Sequence, residues 1–173
     1  MTDYRDHHAT IFLPPEVAGS IEAARRECDP VRASRIAGHV TLVYPQEAPN
    51  AEPLVERIGE ASYRLEPFRL RLGDLACSEG PEYGVYIEVE DVDGGYRRMR
   101  EHVLRPPFHC LTFPLHVTLM HPRTSGRDRQ LSNRSGYERQ IWEFAVQEIA
   151  VTAFDGVVWA RRGTYALTGR QGR

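Results

Sequence analysis

The sequence predicts an α+β fold with antiparallel pairing, arranged as two related lobes, and three observations predict it. The window His39-Val40-Thr41-Leu42-Val43-Tyr44-Pro45 returns as His116-Val117-Thr118-Leu119-Met120-His121-Pro122, with five identities in seven positions. Several apolar runs alternate with the period of two that marks a half-buried strand, while others carry helical spacing. The two kinds follow one another in a mixed order rather than a regular strand–helix alternation. At 173 residues the chain has room for one well-packed domain, 1–173, and not for two independent ones.

In chain order, Ala9 to Leu13 reads as a strand that Pro14 and Pro15 terminate. Glu16 to Cys28 follows as a helix with Val17, Ile21 and Ala24 on its apolar face. The first repeat supplies a strand, and Pro49 and Pro53 frame a helix running to about Tyr63. Phe68 to Leu72 and Val85 to Val89 alternate as strands, joined through the turn residues Ser78-Glu79-Gly80-Pro81. Asp93-Gly94-Gly95 opens a helix through Leu104, which Pro106-Pro107 ends before the second repeat strand, Leu115 to Met120. The polar, Arg-rich stretch from Thr124 to Arg139 reads as a loop with a short helix, and Phe144 to Phe154 and Val157 to Leu167 close the chain as two strands.

Composition narrows the chemistry. With 41% hydrophobic and 27% charged residues, the chain has no apolar run long enough to span a membrane, and its polar N-terminus lacks a secretory leader, so a cytoplasmic protein without a membrane partner is expected. Cys28, Cys77 and Cys110 are odd in number and form no CxxC pair; they fit a reducing compartment and read as small buried apolar residues. All 22 basic residues are Arg, which removes lysine-adenylate ligation, Schiff-base catalysis and the GxxxxGK[ST] phosphate loop. The net charge of −2 gives no bulk attraction for nucleic acid, although a local basic cleft is compatible with it.

The repeat carries the chemistry. In an extended strand alternate side chains share a face, so His39 and Thr41 point one way, as do His116 and Thr118, while the intervening Val and Leu face a core. Two such strands brought together offer two imidazoles and two hydroxyls to one substrate. Imidazole titrates near pH 6.5, so one ring can accept a proton while the other donates one. Opening a 2′,3′-cyclic phosphate needs that pair, one histidine to deprotonate water and the other to protonate the departing ribose oxygen. Thr41 and Thr118 would hydrogen-bond the non-bridging oxygens, with arginines adding charge-assisted contacts.

The remaining candidates are weaker. His121 reads either as a strand-end surface residue or as a phosphate contact. His8 is in phase with Thr10 and Phe12 and is a candidate cleft residue; His7, His102 and His109 read as surface groups. Tyr44, Tyr86 and Trp159 are each candidates to stack on a base or to pack in the core. A zinc site built from His39, His116 and His121 finds no HExxH and no clustered acidic ligand, and leaves the repeated Thr without a role, so no metal and no cofactor is expected. A non-catalytic nucleotide or RNA-end binding module is the alternative of a different class.

The sequence resembles the two-histidine phosphoesterases, marked by paired HxTx motifs, and among them the RNA 2′,3′-cyclic phosphodiesterase or 2′-5′ RNA ligase branch. The likeness runs through Thr10-Ile11-Phe12-Leu13-Pro14, Gly38 to Leu42, Pro67 to Gly73, Val85 to Val89, Phe113 to Leu119 and Gly163 to Leu167, covering nearly the whole chain. It implies a bilobal fold of two antiparallel-rich sheets with flanking helices, pseudo-two-fold symmetry and a central cleft faced by the HxT strands. It also implies metal-independent hydrolysis of a cyclic phosphate to a 2′-phosphate, with a 2′-5′ ligation reversal in some relatives; a monomer is expected. The expected partner is an RNA 3′ end or a small cyclic nucleotide; a cyclic oligonucleotide or ADP-ribose cyclic phosphate are the other substrates considered. One position departs from the pattern: where the family often carries Arg after the second motif this chain has His121, with Arg123 two residues on.

Overall fold

Pro14 and Pro15 do what proline does best at a strand–helix junction, ending one element and starting the next with a preset φ. In the computed structural model, which describes residues 7–78, 84–124 and 142–170, strand β1 (His7–Phe12) stops before them and helix α1 (Pro15–Cys28) begins at Pro15. Its buried stripe is Val17, Ile21, Ala24, Arg25 and Cys28. Asp29 then accepts a hydrogen bond from the Arg32 backbone N–H at 2.9 Å and caps a second helix, α2 (Pro30–Arg35). At six residues this helix is too short to leave a periodic signal in the sequence.

The first repeat strand is β2 (His39–Val43), followed by α3 (Ala51–Arg64), β3 (Phe68–Cys77), β4 (Val85–Asp91), α4 (Gly95–Val103) and the second repeat strand, β5 (His116–Met120). β3 runs on beyond the alternating run because a bulge between Leu72 and Leu75 re-registers it against β4. The Arg-rich stretch from 125 to 141 lies outside the described residues.

The expected strand from Phe144 to Phe154 is two strands, β6 (Glu143–Val146) and β7 (Glu148–Phe154), and β8 (Trp159–Ala166) closes the set. The buried positions explain the break. Phe144 and Val146 face inward on even numbers, whereas Ile149 and Val151 do so on odd ones, so the face flips at Gln147.

The two expected sheets are one. All pairings among the eight strands are antiparallel, in the order β6-β3-β4-β5-β2-β1-β7-β8. The halves β6-β3-β4-β5 and β2-β1-β7-β8 meet where β2 pairs with β5 through Val40 and Val117. Kept apart, the two motif strands would each be an exposed edge of unpaired backbone groups; joined, each covers the other. β6 and β7 lie six places apart in the sheet yet are separated in sequence by Gln147 alone, so the sheet curls until they approach. Val40, Leu42, Val117 and Leu119 are fully buried in a core shared with Ile21 of α1, Leu54 of α3 and Met99 of α4.

Several smaller expectations change. His7 is buried at 1% exposure, with its Nε2 2.6 Å from the Ala48 carbonyl oxygen, because pairing of His7 with Ala153 extends β1 past the apolar run. His102 is half-buried and His109 exposed. Cys28 is buried, but Cys77, at the end of β3, and Cys110, in the loop after α4, are exposed. No helix among the described residues is long and apolar enough to cross a membrane.

Candidate active site

The Val40–Val117 pair sets the geometry of the two motifs. In an antiparallel register the neighbours of a pair lie crosswise, so His39 falls opposite Thr118 and Thr41 opposite His116. The four side chains share one face, with the histidines at opposite corners and a threonine beside each. Val40 and Val117 turn to the other face and bury completely.

The two imidazoles are held alike. His39 Nδ1 lies 2.7 Å from the Ala37 carbonyl oxygen, and His116 Nδ1 lies 2.7 Å from that of Pro114, in each case two residues upstream. A carbonyl only accepts, so Nδ1 carries the hydrogen and Nε2 is the nitrogen left for proton transfer. Burial pushes the His39 imidazole down to about 3, the Ala37 carbonyl opposing and the charges of Arg32, Arg25 and His116 adding to the fall. Burial also lowers His116, which is more open to solvent.

Helix side chains fix the strands that carry these groups. From α1, Arg25 donates through Nε to the Thr118 carbonyl at 3.2 Å and through Nη2 to the Ile36 carbonyl at 2.8 Å. Its Nη1 pairs with Glu22, whose carboxylate accepts from the Gly38 N–H next to the first motif. From α4, the Tyr96 hydroxyl donates to the Thr41 carbonyl at 2.9 Å and Arg100 to that of Leu42 at 2.5 Å, while Glu47 holds Arg100 at 2.5 Å. Each motif's threonine carbonyl is thus gripped by the helix that precedes a motif strand in the other half.

Around the motifs stands an aromatic wall. His8 stacks on Trp159 at 3.9 Å between ring centroids, only 9° from parallel, and lies 6.5 Å from the rings of His39 and Tyr44. Tyr44 leaves the end of β2 and packs on Phe113 at 4.5 Å. Tyr86 of β4 lies 5.2 Å from His116. His8 and all three aromatic candidates therefore border the motif face. His121 and Arg123 fall in the turn after β5. The His121 N–H donates to Asp29 at 3.0 Å, and its Nδ1 accepts from the Arg123 N–H at 3.2 Å, which ties that turn to the cap of α2.

One charged group that sequence reasoning did not single out is Arg32. It is half-buried, its Nε has no hydrogen-bond partner among the described residues, and its charge is felt by His39, His8 and Tyr44. Nothing in its neighbourhood of sequence, Pro30 to Arg35, distinguishes it from the other arginines. Among the described residues no group of three His, Cys, Asp or Glu is placed to hold a metal ion.

A curled antiparallel sheet whose two central strands face a pair of HxT motifs into one cleft is the architecture of a two-histidine phosphoesterase. The chain belongs to the 2′-5′ RNA ligase superfamily, whose family model matches residues 13–157. Among solved structures it is similar to TT0787 of Thermus thermophilus, at 19% identity and a TM-score of 0.64, with 96% of this chain and 100% of that one covered. It is also similar to a structure described as a phosphoesterase, at 21% identity and a TM-score of 0.64 over 95% and 99% of the two chains. A third similar structure is E. coli LigT complexed with 3′-AMP, at 20% identity and a TM-score of 0.61 over 95% and 98%. A search of curated protein sequences finds no match.

Proposed function

We propose that this chain hydrolyses a 2′,3′-cyclic phosphate, on an RNA 3′ end or a nucleotide, to a 2′-phosphate. The observation that carries the reading is the matched pair of imidazoles, each with Nδ1 against a carbonyl and each beside a threonine on the same sheet face. His39, buried and neutral at pH 7, is the general base: its Nε2 takes a proton from water as the water oxygen bonds to phosphorus. His116, more open to solvent, is the general acid: as the bond from phosphorus to O3′ breaks, it gives its proton to that oxygen. Thr41 and Thr118 donate to the non-bridging oxygens, where charge accumulates.

Arg32 supplies the fixed positive charge for the phosphate, with His121 and Arg123 as outer contacts on the β5 side. His8, Tyr44, Tyr86 and Trp159 form the surface on which a base rests. That LigT has been crystallised with 3′-AMP, NADP+ and ATP supports a nucleotide as the ligand class here. The same groups run the reaction backwards by microscopic reversibility, which would join RNA ends through a 2′-5′ linkage without ATP.

The test is incubation with 2′,3′-cyclic nucleotides and with a short RNA ending in the cyclic phosphate, in EDTA, followed by phosphorus NMR. The expected product is the 2′-phosphate. A folded protein that binds these compounds without turnover would instead be a nucleotide-binding module.

A further inference from the structure

A cavity of about 640 Å³ opens beside the first motif, between the α1–α2 corner and the start of β8. Gly38 and Ala37, which immediately precede His39, form part of its wall. Two of its aromatic residues already belong to the surroundings of the motif histidines: Phe12, whose ring lies 6.1 Å from that of His39, and Trp159, stacked on His8. The cavity therefore adjoins the motif face across the Phe12 and Trp159 rings, and its volume is that of an ordinary small-molecule subsite.

Its charge is what sets it apart. Arg26 of α1, Arg35 of α2 and Arg161 of β8 converge on it from three elements, in a protein whose net charge is −2. Arg161 sits over the Phe12 ring at 4.7 Å and reaches Glu148 only at 3.4 Å. Arg26 and Arg35 have no carboxylate partner among the described residues. The one acid in the lining, Glu22, is already committed to Arg25 and to the Gly38 N–H. Arg35 lies three residues from Arg32 on α2, so the positive charge runs from the cleft into the cavity. Guanidinium groups beside aromatic faces suit a phosphate flanked by a base.

We infer that this cavity is a second phosphate subsite, which takes the phosphodiester on the 5′ oxygen of the cyclic-phosphate nucleotide and the nucleoside beyond it. The inference rests on the cyclic-phosphate reading above. A 2′,3′-cyclic phosphate closes off the 3′ side of its ribose, so any further phosphate must be attached through the 5′ oxygen. A phosphodiester there carries the next nucleoside into the cavity, against Phe12 and Trp159.

Three substrates separate the cases: a 2′,3′-cyclic nucleotide with a 5′-hydroxyl, the same with a 5′-phosphate, and a dinucleotide ending in the cyclic phosphate. Wild-type protein is expected to prefer the dinucleotide to the 5′-hydroxyl compound by about tenfold or more in kcat/KM, the gain from one charge-assisted phosphate contact. The preference is expected to fall to about threefold or less in the Arg26→Ala/Arg35→Ala variant. Equal use of the dinucleotide and the 5′-hydroxyl compound by wild type, or a preference that survives in the variant, would overturn the inference. If the 5′-phosphate compound matches the dinucleotide, the cavity reads the phosphate alone, and a place in it for the preceding nucleoside is overturned.

Binding gives a readout independent of turnover. The protein has two tryptophans, so Trp142→Phe leaves Trp159 as a reporter on the cavity wall. The dinucleotide should quench it with about tenfold higher affinity than the 5′-hydroxyl mononucleotide. If nothing is hydrolysed but this difference persists, the catalytic reading fails and the subsite stands; identical affinities would sink the subsite whatever the turnover.

Discussion

The Nε of Arg25 donates to the carbonyl oxygen of Thr118 at 3.2 Å, across 93 residues of sequence, and so ties helix α1 of the first half to the second motif. The same guanidinium holds Ile36 and Glu22, and Glu22 holds Gly38, so one ion pair sets the spacing of both motifs. Arg25 is 1% exposed. Removing it leaves a carboxylate and two carbonyls without their donor, and breaking a buried pair from one side costs about 3–5 kcal/mol. Arg25→Met is expected to lose stability on that scale in urea denaturation. Arg25→Lys should recover only part of it, because an ammonium cannot reach three acceptors in the guanidinium's planar arrangement.

The His–Thr repeat was legible because alternation alone assigns faces: once His39 and Thr41 are known to share one, burial of Val40 and Leu42 follows. The fastening was not. Arg25, Glu22, Tyr96, Arg100 and Glu47 act through carbonyls and carboxylates far away in sequence, and a buried arginine looks like any other arginine until the chain is folded. The merger of two sheets into one depends on a single bridge, Val40 to Val117, and pairing between strands 77 residues apart leaves no local period. The flip at Gln147 was readable in principle from the change of parity in the apolar residues, but an unbroken run of strand-forming residues hides it.

Arg32 is a half-buried cation whose charge disfavours protonation of His39. Arg32→Ala should therefore raise the His39 pKa, a shift that NMR titration of the imidazole reads directly. The same variant should lower kcat/KM about 10-fold to 100-fold by removing a charge-assisted contact to phosphate. An unmoved His39 titration would place the guanidinium away from the motif.

The histidines also set acid stability. An unfolded histidine titrates near 6.5 and His39 in the fold near 3, so between these values the unfolded chain binds a proton that the folded one refuses. Stability contributed by neutral His39 is complete above about pH 6.5 and is lost as the pH falls toward 3, a loss on the order of a few kcal/mol. His8, lowered by burial and by His39, acts in the same direction. Urea midpoints measured from pH 7.5 to 4 should fall steadily, and His39→Gln should flatten the slope.

Tyr96 and Thr41 give a gentler test of positioning. Tyr96→Phe removes the hydroxyl that donates to the Thr41 carbonyl and leaves that oxygen without this donor, at a cost of about 1–3 kcal/mol. Because the phenol acts on the backbone of the motif and not on the phosphate, kcat should fall more than KM rises. A change in KM alone would mean that Tyr96 contributes to binding instead.

The division of labour between the histidines can be decided by the leaving group. With His39 as base and His116 as acid, kcat/KM requires neutral His39, present above about pH 3, and protonated His116, present only below its lowered pKa. The profile should therefore be highest on the acid side of pH 6.5 and decline through neutrality. Such a bell is blind to which histidine does which job, since exchanging the two protons gives the same curve. A phosphodiester with an aryl leaving group breaks the tie, because a phenolate of low basicity departs without a proton. His116→Ala should then retain far more activity on the aryl ester than on the cyclic phosphate, while His39→Ala should lose about 10²–10⁴-fold on both. If His39→Ala is the variant the aryl ester rescues, the roles are reversed, and the bound phosphate anion must hold the proton on His39 against the burial that disfavours it.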